Sequence, residues 1–79
     1  MSEIQADTVL DLKGLLCPIP VVKMAKGIKG IEVGQIIEAE ASDPGVLADI
    51  PAWCKSTGNE LLNMERQNGV IKFWVRRVK

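Results

Sequence analysis

Cys17 stands in the run Gly14-Leu15-Leu16-Cys17-Pro18-Ile19-Pro20, at the point where a strand-like hydrophobic pattern gives way to a helical one. A proline directly after the cysteine suits the first position of a helix. Its φ is already helical, and its missing N–H would have had no partner there. The sequence therefore predicts Cys17 as a helix N-cap, with its sulfur beside unpaired backbone N–H groups and the positive end of the helix dipole. Such surroundings favour thiolate over thiol, and the thiolate is the nucleophile. Gly14 supplies the sharp turn before the cysteine, and Pro18 and Pro20 fix the helix start. After a βα turn, at the carboxyl end of a strand, is also where open α/β sheets present reactive groups.

The second cysteine, Cys54, follows Trp53 inside a helical apolar stripe, far from any helix start, and reads as a packing residue. The two cysteines are too far apart in sequence for a CxxC redox motif. The chain has no histidine, which removes Ser-His-Asp and Cys-His catalysis from it and leaves too few ligands for a closed structural zinc site. Neither a cofactor site nor a metal site is expected. Along the C-terminal segment Lys72, Trp74, Arg76, Arg77 and Lys79 alternate cation with aromatic. Such a face can stack nucleic-acid bases, but is more commonly a solvated one. Asp43-Pro44 and Asp49 read as helix-start and surface residues.

The elements that must position these groups follow from periodicity. Thr8-Val9-Leu10-Asp11-Leu12 alternates as a strand with Leu10 and Leu12 inward, and Pro18 to about Lys29 carries Val21, Met24, Ala25 and Ile28 at helical spacing. Glu32–Gln35 reads as a turn, and Ile36–Ala41 as a strand with Ile37, Ala39 and Ala41 on one face. Asp43 and Pro44 predict a helix cap and first residue, and the stripe Val46, Ile50, Trp53/Cys54 and Thr57 runs to Gly58, a natural C-terminal cap. Pro51, inside that stripe, should kink or divide the helix. Glu60–Glu65 and Val70–Val75 are strands joined through Asn68-Gly69, a strong hairpin signal. The order βαβαββ predicts an α/β (α+β) two-layer sandwich, with two helices packed on one face of a four-stranded mixed sheet.

The chain has 79 residues, which makes one small domain: a short flexible N-terminus over residues 1–8 and a single folded unit over 9–79. It is 47% hydrophobic and 25% charged, a globular balance, and its 10 basic and 10 acidic residues cancel, so no global field draws in nucleic acid or a membrane surface. The N-terminus lacks the basic-then-apolar pattern of a signal peptide, and no apolar run approaches the ~20 residues that cross a bilayer. A cytoplasmic location is expected.

Taken together, Leu10-Asp11, Gly14-Leu15, Cys17-Pro18-x-Pro20, Gly34, Ser42-Asp43-Pro44, Asp49-Ile50-Pro51-x-Trp53-Cys54 and Gly58-Asn59-Glu60-Leu61 resemble the TusA/SirA-like sulfur-carrier family, over nearly everything from Val9 to Val78. The resemblance implies that the Cys-Pro-x-Pro cysteine, here Cys17, carries sulfur as a persulfide. It implies a sulfur donor protein, either a cysteine desulfurase or a rhodanese-type enzyme, and an acceptor sulfurtransferase. The sulfur would go to tRNA 2-thiolation, molybdenum-cofactor assembly or sulfur oxidation. No membrane partner and no direct nucleic-acid binding are implied, and a monomer suits a small carrier that docks with several proteins. Whether such a carrier counts as an enzyme is a matter of definition, since its partners supply the remaining chemistry. Two other readings differ in kind: a thiol redox or regulatory module using Cys17 and Cys54, and a small nucleic-acid-binding module using the C-terminal strand.

Overall fold

Alternation in the strands and 3.6-residue spacing in the helices meet on one side of a single sheet. The computed structural model describes residues 4–79; of the N-terminal segment expected over residues 1–8, the first three lie outside the described residues. The chain runs β1 (Thr8–Leu12), α1 (Ile19–Lys29), β2 (Ile36–Ala41), α2 (Val46–Thr57), β3 (Glu60–Gln67) and β4 (Val70–Arg76). The strands lie in the order β1-β2-β4-β3. β1 and β2 are parallel, with Leu10 beside Ala39, while β4 is antiparallel to both β2 and β3. This is the mixed sheet of a βαβαββ sandwich. Pairing reaches back to Asp7, whose N–H donates to Ile36 O (2.8 Å) and whose carboxylate accepts the Ile36 N–H (2.9 Å).

The core lies between the sheet and the two helices. Ile37, Ala39 and Ala41 of β2 and Ile71, Phe73 and Val75 of β4 are buried against Met24 and Ile28 of α1 and Val46, Ile50 and Cys54 of α2. α1 contacts β1 and β2, and α2 contacts β3 and β4. Gly27 lies inside α1 and does not end it. The helix continues to Lys29, and a Cβ at Gly27 would stand 3.0 Å from Leu10 Cδ1 and 3.2 Å from Ile37 Cδ1. The missing side chain therefore lets α1 lie close on the strands that precede and follow it. At the other end of the sheet, Asn68 and Gly69 both have positive φ, 52° and 78°, as a two-residue hairpin turn of the primed type needs.

Two local expectations change. Asp43 does not cap α2: the N-cap is Gly45, and Asp43, Pro44 and Gly45 form a preceding turn in which Asp43 O accepts the Val46 N–H at 3.2 Å. Pro51 does not divide α2, which is continuous from Val46 to Thr57. Proline removes one backbone donor, but Val46, Ile50 and Cys54 are all buried on the same side and hold both halves of the helix to the sheet.

Candidate functional site

Because β1 and β2 are parallel neighbours, their carboxyl ends lie on the same edge of the sheet, and the loops leaving them are adjacent. The β1–α1 loop carries Gly14 and Cys17; the β2–α2 loop carries Ser42 and Asp43. Hydrogen bonds tie the two together. The Gly14 N–H donates to Ser42 Oγ (2.8 Å), and the Cys17 N–H donates to Asp43 Oδ2 (2.9 Å). Asp43 is itself set by the Gly45 N–H on its other oxygen (3.2 Å). Gly14 adopts φ +83° in the turn that returns the Leu15 N–H to Leu12 O, a conformation that a side chain would strain.

Cys17 is exposed, and its thiol donates to Asp49 Oδ2, on α2, at 2.9 Å. The charge environment of the sulfur is thus the reverse of what the sequence led us to expect. The Cys17 pKa is raised, first by the hydrogen bond to Asp49, then by partial desolvation, then by the negative charges of Asp49 and Asp43. The helix start does not counter them. The N-cap of α1 is Pro18, so Cys17 lies one residue ahead of it. Pro18 and Pro20 have no N–H to offer, and the Ile19 N–H is committed to Leu16 O at 2.9 Å. The two prolines that fix the helix start also remove two of the donors it would otherwise offer. Pro20 packs into the core, which anchors the first turn.

Asp43 and Asp49 are therefore site residues that the sequence reading assigned to other roles. The signal was available: both follow the strand that runs parallel to β1, so the same edge of the sheet had to receive them. Around the thiol, Leu16 is 71% exposed and Ile19 41%. Leaving two large apolar side chains in water costs free energy that a protein partner would recover on covering them.

Cys54 is 3% exposed and belongs to the core. Burial pushes its thiol up to about 11. It lies five residues beyond Asp49 on α2, a rise of ~7.5 Å along the helix axis and away from the end that meets Cys17. Both cysteines are free. The C-terminal strand offers no stacking face at Trp74, which is 3% exposed and donates its indole N–H to Glu38 Oε1 at 2.9 Å. Lys72 pairs with Glu40 at 3.5 Å, and Arg76 pairs with Glu60. Among the described residues no group of His, Cys, Asp and Glu side chains could hold a metal ion, and no helix is long and apolar enough to cross a membrane.

Comparison with known proteins agrees with this architecture. Residues 8–77 match the family described as Sulfurtransferase TusA. The protein YrkI of Bacillus subtilis (strain 168) is 42% identical over 73 residues, 92% of this chain and 97% of that one. The sulfur carrier protein TusA of Pseudomonas putida (strain GB-1) is 34% identical over 77 residues, 98% of this chain and 96% of that one. The crystal structure of a SirA-like protein from Desulfitobacterium hafniense superposes with a TM-score of 0.78 over 91% of this chain and 99% of its own, at 22% identity, and so shares the fold.

Proposed function

The chain belongs to the sulfurtransferase TusA family, and on that premise we propose that this sulfur carrier takes up sulfur on Cys17 as a persulfide and relays it between proteins. The observation that carries this reading is the position of Cys17: an exposed thiol in a βα turn at the carboxyl edge of the sheet, in a chain that matches the family from residue 8 to 77. The thiolate of Cys17 attacks the terminal sulfur of a donor persulfide. A bond forms between the two sulfurs, the donor's S–S bond breaks, and the donor thiolate leaves and takes up a proton. An acceptor thiol then repeats the exchange on Cys17–S–SH. Sulfane sulfur moves without net oxidation, so the carrier needs only access and a thiolate at the moment of contact.

The donor class that fits is a cysteine desulfurase or a rhodanese-type enzyme, and the acceptor is a sulfurtransferase of a thiolation, molybdenum-cofactor or sulfur-oxidation route, all within the cytoplasm. Exposed Leu16 and Ile19 beside the thiol support docking with proteins, and a monomer leaves that face free for each partner in turn.

The test is direct. Incubation with a cysteine desulfurase, pyridoxal phosphate and cysteine, or with a rhodanese and thiosulfate, should add the mass of one sulfur atom, mapped to Cys17. The Cys17→Ser protein should stay folded and gain none. Added sulfur that persists in Cys17→Ser, or wild-type protein that gains none from either donor, would overturn the reading.

A further inference from the structure

Sulfur uptake at Cys17, the reading on which this inference rests, requires a thiolate, yet both side chains that close on this residue are acids. The thiol donates to Asp49 Oδ2 at 2.9 Å, and the backbone N–H of the same residue donates to Asp43 Oδ2 at 2.9 Å. Neither carboxylate is there by accident of a loose side chain. Asp49 lies on α2 directly before buried Ile50 and three residues after buried Val46, so packing of the helix fixes where its backbone stands. Asp43 is fixed by the Gly45 N–H.

Among the described residues no cation offsets the pair. The first turn of α1, Ile19 to Val22, has no charged side chain. In the β1–α1 loop, Lys13 faces Glu40 at 3.4 Å and Asp11 at 4.0 Å. The charges acting on the sulfur are Asp49 from α2 and Asp43 from the β2–α2 turn, and both oppose ionisation. Losing the proton would leave two anions in contact across what is now a hydrogen bond.

We propose that Asp49 holds the proton on Cys17, so that the free carrier presents a masked thiol, and that the mask is lifted by a donor protein that brings a cationic group to the carboxylate. With Asp49 paired to a lysine or arginine of the donor, the Cys17 proton passes to solvent, and the thiolate attacks the donor persulfide as written above. No oxidant or reductant enters. The arrangement selects partners by charge: a donor with a cation beside its persulfide unmasks the thiol, whereas small anionic electrophiles meet like charge and little thiolate. It also shields an exposed cysteine from oxidants that react only with the ionised form.

The test uses the unloaded full chain, with alkylation of native Cys17 by iodoacetamide followed by intact mass from pH 6 to 10. Asp49→Asn keeps an acceptor oxygen and removes the charge. It should react about 5-fold faster than wild type at pH 7, with its rate curve displaced to lower pH and the same alkaline plateau. Asp49→Glu, which restores the charge, should return toward the wild-type rate. Of two methanethiosulfonates of opposite charge, each rate normalised to that reagent's rate with a small free thiol, the aminoethyl reagent should modify wild type roughly tenfold faster than the sulfonatoethyl reagent, and Asp49→Asn should lose most of that preference. Unfolding of a variant would be seen as a second adduct, on Cys54. An Asp49→Asn rate curve that overlays wild type, or a charge preference that survives in that variant, would overturn the proposal. Because no persulfide is involved, such a failure leaves sulfur loading of wild type as an independent result, and a failure to load leaves the mask standing.

Discussion

Cys17 and Cys54 are two free thiols of one small domain, and both have a pKa above the ordinary value, with different leading causes. At Cys17, exposed ahead of α1, the leading cause is the hydrogen bond to Asp49, with the charge of Asp43 adding to it. At Cys54, 3% exposed on the inner side of α2, the cause is burial. The difference matters because the two causes have different remedies. Carboxylates that hold a proton in place can be neutralised by a partner's cation without disturbing the fold. A thiol held neutral by packing is released only by opening the core. One helix thus supplies both environments: Asp49, part-exposed in its first turn, serves the first thiol, and Ile50 and Cys54, buried against the sheet, seal the second.

The comparison breaks most visibly if the two cysteines are exchanged in function. Cys17→Ser should abolish sulfur loading with little change in stability, because the side chain is exposed and a serine hydroxyl can keep the hydrogen bond to Asp49. Cys54→Ser should load as wild type does. Loading that depended on Cys54 would end the division of roles. Native-state labelling with a neutral alkylating reagent comes next in size. Cys17 should react at least ~10³-fold faster than Cys54, since the latter waits on opening of the core, whose equilibrium is that unfavourable in stable domains. Comparable rates would show that α2 opens readily and that burial does not distinguish the two sites.

How much of this was legible from the amino acids depends on the range of the interaction. Strands β1 and β2 fall where alternation put them, Thr8–Leu12 and Ile36–Ala41, because alternation is a local pattern that one buried face enforces. The Asn68-Gly69 turn was legible because few other residue pairs accept positive φ twice in succession. The family resemblance, resting on Cys17-Pro18-x-Pro20 and Asp49-Ile50-Pro51, agreed with the match over residues 8–77. What local reasoning missed was the sign of the field at Cys17. It counted helix N–H groups that Pro18 and Pro20 cannot supply. It also assigned Asp43 and Asp49, 26 and 32 positions away, to capping and surface roles. Their approach to the sulfur depends on the parallel β1–β2 pairing, which brings two distant loops to one edge, and no local pattern encodes a distance across a sheet. That Pro51 leaves α2 undivided has a related reason: a proline's cost is local, whereas Val46, Ile50 and Cys54 hold the helix through packing with the sheet.

A smaller effect sharpens the Cys54 half of the comparison. Cys54→Ala removes a buried sulfur from a close-packed region bounded by the sheet and α1. Such truncations cost about 1–2 kcal/mol, which in a domain of this size lowers Tm by roughly 5–15 °C. Asp49→Asn, in the first turn of the same helix, should change Tm by much less than Cys54→Ala, since its hydrogen bond is exposed. A larger loss at Asp49 than at Cys54 would make the Cys17 site a structural element rather than a chemical one.

The smallest effect isolates the burial of Cys54 by its pH dependence. The thiol's value rises from 9.0 to about 11 in the folded protein, and the cause is desolvation. Between these values the folded state still holds the proton while the unfolded chain has released it, so the folded state binds more protons and unfolding becomes easier as pH rises. The stabilisation from a neutral buried thiol is therefore complete below about pH 9 and lost as pH climbs toward 11. Two pKa units set a ceiling of about 3 kcal/mol, and partial access of water to the thiol should reduce this to ~1–2 kcal/mol. The informative quantity is a difference that isolates Cys54: the stability of Cys17→Ser minus that of Cys17→Ser/Cys54→Ala, from urea unfolding at pH 8 and at pH 11. With Cys17 removed from both proteins, the difference should shrink by that amount over the interval. A difference that stays constant with pH would mean that Cys54 ionises in the fold as easily as in the unfolded chain. The contrast between a thiol masked by charge and a thiol masked by packing would then collapse.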